Sequence, residues 1–364
     1  MKIKEVCNII ESFAPLSYQE SYDNSGLQTG NPNSELKGIL LTIDVTEDIV
    51  EEAILHNCNM IIAHHPVIFK PLKKLTGSNY VERVIEKAIK NDIAIYAAHT
   101  NLDSVNGGVS TYMANKIGLE NIQILDPQQG QLLKLVCFVP ENFAEVVREE
   151  MFKNGAGNIG KYDSCSFNTK GTGSFKAGEN TSPFVGSIGE MHYEPEVRVE
   201  TIVESPNLSK CISAMIKAHP YEEVAYDVYP LQNTNPNLGL GAIGVLNEYE
   251  QAKEFILRIK KIFNCGVIKY SGKLNNKIKT VAMCGGSGSF LINKAIKSGA
   301  DIFISADIKY HEYFIPENDM IIADIGHYES EQFTKQIFYE LLMKKNPKFA
   351  IRFSDINSNP IKHI

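Results

Sequence analysis

Apolar residues recur at Val6, Ile9, Ile10 and Phe13, the spacing of one helical face, and Pro15 closes that stretch. A loop rich in Asp, Asn and Gly follows, YDNSGLQTGNPNS (22–34). Beyond it the pattern alternates. Apolar runs at 38–43, 60–63 and 93–98 have the length of buried strands. Between them the spacing predicts a helix opened by Thr46 and reaching about residue 57, and another over about 81–90. Strand alternating with helix is the signature of an α/β layer.

The same order returns near the C-terminus, with strands expected at 280–283, 301–304 and 320–323 and a helix at 290–297. Aligned by element, NMIIAHHPVIF (59–69) matches ADIFISADIKYHE (300–312), and IAIYAAHTNLDS (93–104) matches MIIADIGHYESE (320–331). Each apolar strand empties into polar residues: His64 and His65 or Asp307 in the first pair, His99 and Asp103 or His327 in the second. The pattern reads as an internal duplication, although any two α/β segments share part of it.

The middle of the chain differs. Strands at 132–139, 162–167, 197–203 and 224–229 are interleaved with helices at 141–153 and 207–218, the first expected to turn Phe143, Val146, Val147 and Met151 inward. That βαββαβ order fits a ferredoxin-like domain. The Gly-rich stretch 171–178 is read as a connection, and DPQQGQ (126–131) and QNTNPN (232–237) as turn-forming edges. The expected organisation is therefore a core first half over 1–130, an inserted domain over 131–233 and a core second half over 234–364.

Composition narrows the function. At 364 residues the chain is too long for one ordinary domain, and its net charge of −7 argues against nucleic acid as a main partner. The first twenty residues carry charges throughout and lack a signal peptide's apolar core, and no run of 18 apolar residues suggests a membrane span. Seven scattered cysteines without a CxxC pair read as reduced core thiols of a cytoplasmic protein.

Three strand ends or helix starts carry chemistry. His64-His65-Pro66 leaves an apolar strand, so the imidazoles point to opposite sides and serve two ions, or one ion and a supporting contact; solvated or packed histidines are the plain alternative. His99 and Asp103 follow another strand, with Asp103 a hard oxygen ligand or simply a cap. His327 and Glu331 stand four apart at a helix start, on one face. The crevice at the carboxyl ends of strands is the usual ligand site of an open α/β sheet. Five candidate ligands, His64, His65, Asp103, His327 and Glu331, exceed what one tetrahedral ion takes and suit two divalent ions about 3.5–4 Å apart. Such a pair favours metal-assisted hydrolysis.

Weaker signals remain open. CGGSGS (284–289) would offer backbone N–H groups to a phosphate, or simply form a tight turn. Asp307 and His311, four apart, and His99 are candidates for proton transfer or for supporting the ligands. Lys70, Lys73 and Lys74 form a solvated loop face or meet an anionic substrate. HPYEE (219–223) reads as a cap on the inserted domain's last strand rather than a metal site.

YDNSGLQTG (22–30), AHHPVIFKPLKKLT (63–76), AHTNLDSVNGG (98–108), CGGSGS (284–289), SADIKYHE (305–312) and DIGHYESE (324–331), in this order, resemble the motif series of the Nif-three-like family. Many of its members are named GTP cyclohydrolase 1 type 2 homologue or dinuclear metal centre protein. The resemblance implies two duplicated, intertwined three-layer α/β halves with mixed sheets, a two-metal site and a homohexameric ring. Motif by motif, it places the ligands at His64, His65, Asp103, His327 and Glu331. The middle segment, including AHPYEEVAYDVYPL (218–231), resembles the PII-like domain of longer bacterial members, a fold that often trimerises. Two positions depart from the family pattern: Tyr22 where Trp is common, and Ala306 where Gly precedes the aspartate.

Two functions follow as expectations. One is a cytoplasmic, dinuclear metal-dependent hydrolase of a nucleotide or related small molecule, GTP ring opening being implied by the family name alone. The other is a non-catalytic metal-binding scaffold or regulator whose inserted domain senses a metabolite. Three imidazoles and two carboxylates suit Zn first, and also Mn, Fe, Co or Ni.

Overall fold

The computed structural model describes residues 1–317, 319–345 and 349–364. The chain divides into two compact units, Met1–Pro127 together with Pro236–Ile364, and Gln128–Asn235. In chain order the strands are β1 Gly26–Thr29, β2 Gly38–Leu41, β3 Met60–Ala63, β4 Ala94–Ala97, β5 Glu120–Gln129, β6 Leu132–Pro140, β7 Ser166–Lys176 and β8 Met191–Glu204. There follow β9 Tyr226–Pro230, β10 Thr234–Gln251, β11 Lys269–Ser271, β12 Lys277–Ser287, β13 Ile302–Ala306, β14 Ile321–Asp324 and β15 Ala350–Phe353.

The first unit holds two mixed sheets, ordered β1-β4-β3-β2-β15 and β11-β14-β13-β12-β10-β5. Strands β2, β3 and β4 are parallel with β1 antiparallel at the edge, and β12, β13 and β14 are parallel with β11 antiparallel at the edge. The two sheets thus repeat one arrangement of four strands. In each, the third strand empties into polar chemistry, the pair His64-His65 after Ala63 in one and the single Asp307 after Ala306 in the other. The chain's last strand, β15, pairs in parallel with β2 of the first sheet.

Runs such as MIIA are apolar at every position because both faces of a parallel sheet are covered. Ile39 and Leu41 join a core shared with Val281, Ile302 and Phe338, whereas Leu40 faces the helices Glu47–Leu55 and Tyr80–Lys90. Those helices start where capping places them: Thr46 Oγ1 accepts from the Ile49 N–H (3.4 Å) and Asn79 Oδ1 from the Glu82 N–H (3.0 Å).

The second unit is one antiparallel sheet, β7-β8-β6-β9, with helices Ala144–Lys153 and Leu208–Ala218 in βαββαβ order. Its core includes Leu135, Val139, Val147, Met151, Val199 and Met215. Among the described residues no helix is long and apolar enough to cross a membrane. All seven cysteines are free, and all but Cys165 are buried.

Several local expectations are corrected. Gly171 and Gly173 belong to β7, in a long hairpin with β8, rather than to a connection, and Gly173 leaves room for a neighbouring side chain: a Cβ there would lie 2.2 Å from Glu196 Oε2. Residues 126–129 and 234–237, read as turns, are strand, and β10 runs eighteen residues through a glycine-rich sequence that has no strand-like alternation. Val146 is 53% exposed, so the helix buries Val147 and Met151 without it. The helix that His327 opens ends already at Glu331, and Thr334–Met343 is a separate helix.

Candidate metal centre

Four imidazoles are gathered at the carboxyl ends of β3, β4 and β14. His64 and His65 follow Ala63, and both backbone N–H groups donate to the Ile43 carbonyl (3.1 and 2.9 Å). That fastening ends the strand's alternation, so the two rings do not point to opposite sides as expected but lie together, centroids 4.9 Å apart, and both face Glu331. His64 is wholly buried, and its Nδ1 donates to the Ala98 carbonyl (2.8 Å), which leaves the Nε2 lone pair free to point inward. His65 Nδ1 is held by Asp44 Oδ1 (2.7 Å), His327 Nδ1 by Asp307 Oδ2 (2.7 Å) and His99 Nδ1 by Asp23 Oδ1 (2.8 Å). Each ring is therefore oriented through one nitrogen and presents the other, the pattern in which carboxylates or carbonyls orient metal-binding histidines.

The presented atoms converge. His65 Nε2 lies 2.9 Å and His327 Nε2 3.1 Å from Glu331 Oε2, and the two Nε2 atoms are 3.4 Å apart. His64 Nε2 stands 3.6 Å from Glu331 Oε1 and 3.7 Å from Asp103 Oδ1. Ligands around one tetrahedral ion at about 2.0–2.2 Å are themselves about 3.3–3.6 Å apart, a spacing that the 3.4 and 3.6 Å separations match, while the two approaches to Glu331 Oε2 are shorter. His64 Nε2, Asp103 Oδ1 and Glu331 Oε2 are buried and make no well-directed hydrogen bond despite these short approaches. A buried polar atom without a partner is costly, and three in one place fit a cation that all of them face. His64, His65 and His99 form one cluster of potential ligand atoms, and His65, His327 and Glu331 a second that shares His65.

Charge follows the same geometry. Burial works against the imidazolium of His65 and of His327, but Asp44 and Glu331 raise the first to about 9, and Asp307 and Glu331 raise the second to about 11. Burial holds His64 below the usual histidine value. Burial also pushes the Asp103 carboxyl well up, reinforced by the charge of Glu331. For Glu331 the penalty of burial is outweighed by His64, His327 and His65, which keep it well below the carboxylate range.

A family model, Duf34/NIF3 (NGG1p interacting factor 3), matches residues 1–360. The chain belongs to the Duf34/NIF3 family. A GTP cyclohydrolase 1 type 2 homolog of Halalkalibacterium halodurans is 40% identical, covering 99% of this chain and 98% of its own. The Bacillus subtilis protein of the same name is 37% identical, covering 98% and 97%. The crystal structure of a Bacillus cereus protein related to NIF3 superposes with a TM-score of 0.88 at 39% identity, covering 100% of this chain and 99% of that one.

In this Duf34/NIF3 chain the five side chains singled out as ligands, and His99, all reach the cluster; Asp307 touches it by holding His327. His311 does not join them. Asp307 takes a left-handed backbone (φ 53°) and an exposed 310 turn, Tyr310–Phe314, follows, so the four-residue spacing is not one helical face, and His311's ring packs on Tyr310. CGGSGS is not a phosphate cradle: Gly285, Gly286 and Gly288 N–H groups already donate to Ser110, Ser330 and Ser305 hydroxyls. Its glycines serve close approach instead, since a Cβ on Gly286 (φ 59°) would lie 2.3 Å from Glu331 Oε1. Both ring nitrogens of His219 are engaged, with the Phe138 carbonyl and the Tyr221 N–H, which is a structural role. Lys70, Lys73 and Lys74 are exposed. Asp44 and Asp23 escape sequence reasoning; the one available signal for Asp23 is its place in the YDNSG loop.

Proposed function

We propose that this protein binds two divalent metal ions per chain, Zn foremost, and is a metal-dependent hydrolase of a nucleotide or related small molecule. The observation that carries the reading is the convergence of His64 Nε2, Asp103 Oδ1 and Glu331 Oε2, buried and without directed partners. His64, His65, Asp103, His327 and Glu331 would hold the ions, with Asp44 and Asp307 fixing the rings of His65 and His327. A bound divalent ion supplies a nucleophile by lowering the pKa of coordinated water. His99, fixed by Asp23 with its ring 5.3 Å from that of His64, is the side chain placed to exchange a proton with a substrate; Asp307 serves by orienting His327.

The relatives' name, GTP cyclohydrolase 1 type 2 homolog, puts purine nucleotides first among substrates to try. The same reading takes the protein to be cytoplasmic and a homohexamer, and the 128–235 unit to be a PII-like domain for an effector. The test is a panel of nucleotides and phosphoesters assayed with metal-loaded protein beside a His64→Ala control. Turnover above that control supports a hydrolase. Equal, background rates across the panel together with full metal content would leave a metal-binding scaffold or regulator.

A further inference from the structure

We propose that Tyr22 and Phe69 form an aromatic lip that stacks a planar heteroaromatic ring at the mouth of the metal centre. The inference rests on that centre being a small-molecule site, and it names the class of molecule. The Tyr22 and Phe69 side chains are 64% and 43% exposed. Their centroids are 6.4 Å apart with planes tilted by 58°, so the rings touch without covering each other's faces. Phe69 meets His99 edge-on at 6.2 Å, and His99 meets His64 and His65 at 5.3 and 5.4 Å. A continuous row of rings therefore leads from solvent to the metal-facing imidazoles. Burial and the carboxylates of Glu20, Asp23 and Asp103 raise the Tyr22 phenol, consistent with its place beside the centre.

The lip is held in place. Asn24 Nδ2 donates to the Ile68 carbonyl (2.6 Å) and the Ile68 N–H donates to Gln28 Oε1 (3.1 Å), clasping the loop of Tyr22 to that of Phe69. Asp23, next to Tyr22, accepts from the N–H groups of Asn24 (2.7 Å) and Thr100 (3.0 Å) and from His99. Polar contacts thus fix the backbone on one side of each ring while its face stays in water. Aromatic side chains lose little conformational freedom on binding and stack on any planar base, which suits a heterocycle better than an aliphatic or sugar-only ligand.

The chain contains no tryptophan, so Tyr22→Trp keeps an aromatic lip and adds a single reporter. Guanosine and adenosine, titrated into zinc-loaded Tyr22→Trp protein, are expected to quench its emission saturably, and ribose 5-phosphate to leave it unchanged. Adding Phe69→Ala should weaken nucleoside binding on the order of ten-fold. Absence of saturable quenching by either nucleoside, or equal affinity in the double variant, overturns the proposal. So does an emission shift that follows protein concentration alone, which would mark the lip as a contact between copies. Nucleoside binding without turnover of any nucleotide would sustain the lip while removing the hydrolase reading, so the two fail separately.

Discussion

His65 and His327, 262 residues apart in sequence, meet nitrogen to nitrogen, with Nε2 atoms 3.4 Å apart on either side of Glu331 Oε2. Each is anchored from behind by its own aspartate, so neither ring turns away. Two imidazoles pressed toward one carboxylate oxygen are arranged for a shared cation.

Replacing His327 or Glu331 with Ala removes a ligand from that point. Elemental analysis is expected to find about two divalent ions per native chain and clearly fewer in either variant. Unchanged stoichiometry would exclude these side chains as ligands.

Metal and protons compete for the same nitrogens. At neutral pH, below values of about 9 for His65 and about 11 for His327, both rings of the metal-free site are charged. Loading should therefore release protons and weaken as pH falls, which calorimetry in buffers of different ionisation enthalpy measures. Without metal the sign reverses for stability. The contribution of these raised groups is complete below an unfolded value of about 6.5 and is lost as pH rises through about 9 and then about 11. Proton-free metal uptake at pH 7 would refute this account.

Asp44→Asn keeps a hydrogen-bond acceptor for His65 but removes its charge, and replaces the oxygen that accepts from the Ser358 hydroxyl (2.7 Å) with an amide donor. Metal affinity, followed by competition with a chromogenic chelator, should fall about 10–100-fold with little change in the fold. Ser358→Ala should have a smaller effect in the same direction.

Gly286→Ala places a methyl 2.3 Å from Glu331 Oε1 at a left-handed backbone position. Thermal unfolding should report a loss of about 1–3 kcal/mol. Metal content should fall with it, since Glu331 has to shift. A variant with native melting and native metal content would mean that the strand end relaxes freely.

Legibility in the sequence tracks how local each determinant is. Met60–Ala63 and the Thr46 cap were readable because an apolar run and a capping residue act within a few positions. The sites at His64, His65, Asp103, His327 and Glu331 stood out because strand ends and a four-residue helical spacing are local features too. Asp44 and Asp23 lie 21 and 76 residues from the histidines they orient, and a lone Asp in a loop looks the same whether or not it has such a partner. Strand β10 was hidden by its glycines, several of which meet neighbouring backbone or side chains closely, a requirement of the partner strand rather than of the segment itself. His311 misled through spacing alone, because the left-handed turn at Asp307 breaks the helix that the spacing assumes.

The pairing of β15 with β2, and the reach of Ser358 to Asp44, have a consequence in time. The sheet bearing His64 and His65 lacks its edge strand until residues 350–353 have been made, and His65's support is incomplete until residue 358. A chain emerging from the ribosome N-terminus first thus carries its first histidine pair while 262 further residues are made before His327 joins it, and longer before Glu331 and that support do. The candidate metal centre therefore cannot close around an ion until residues 327–358 have joined the fold that carries its first two histidines.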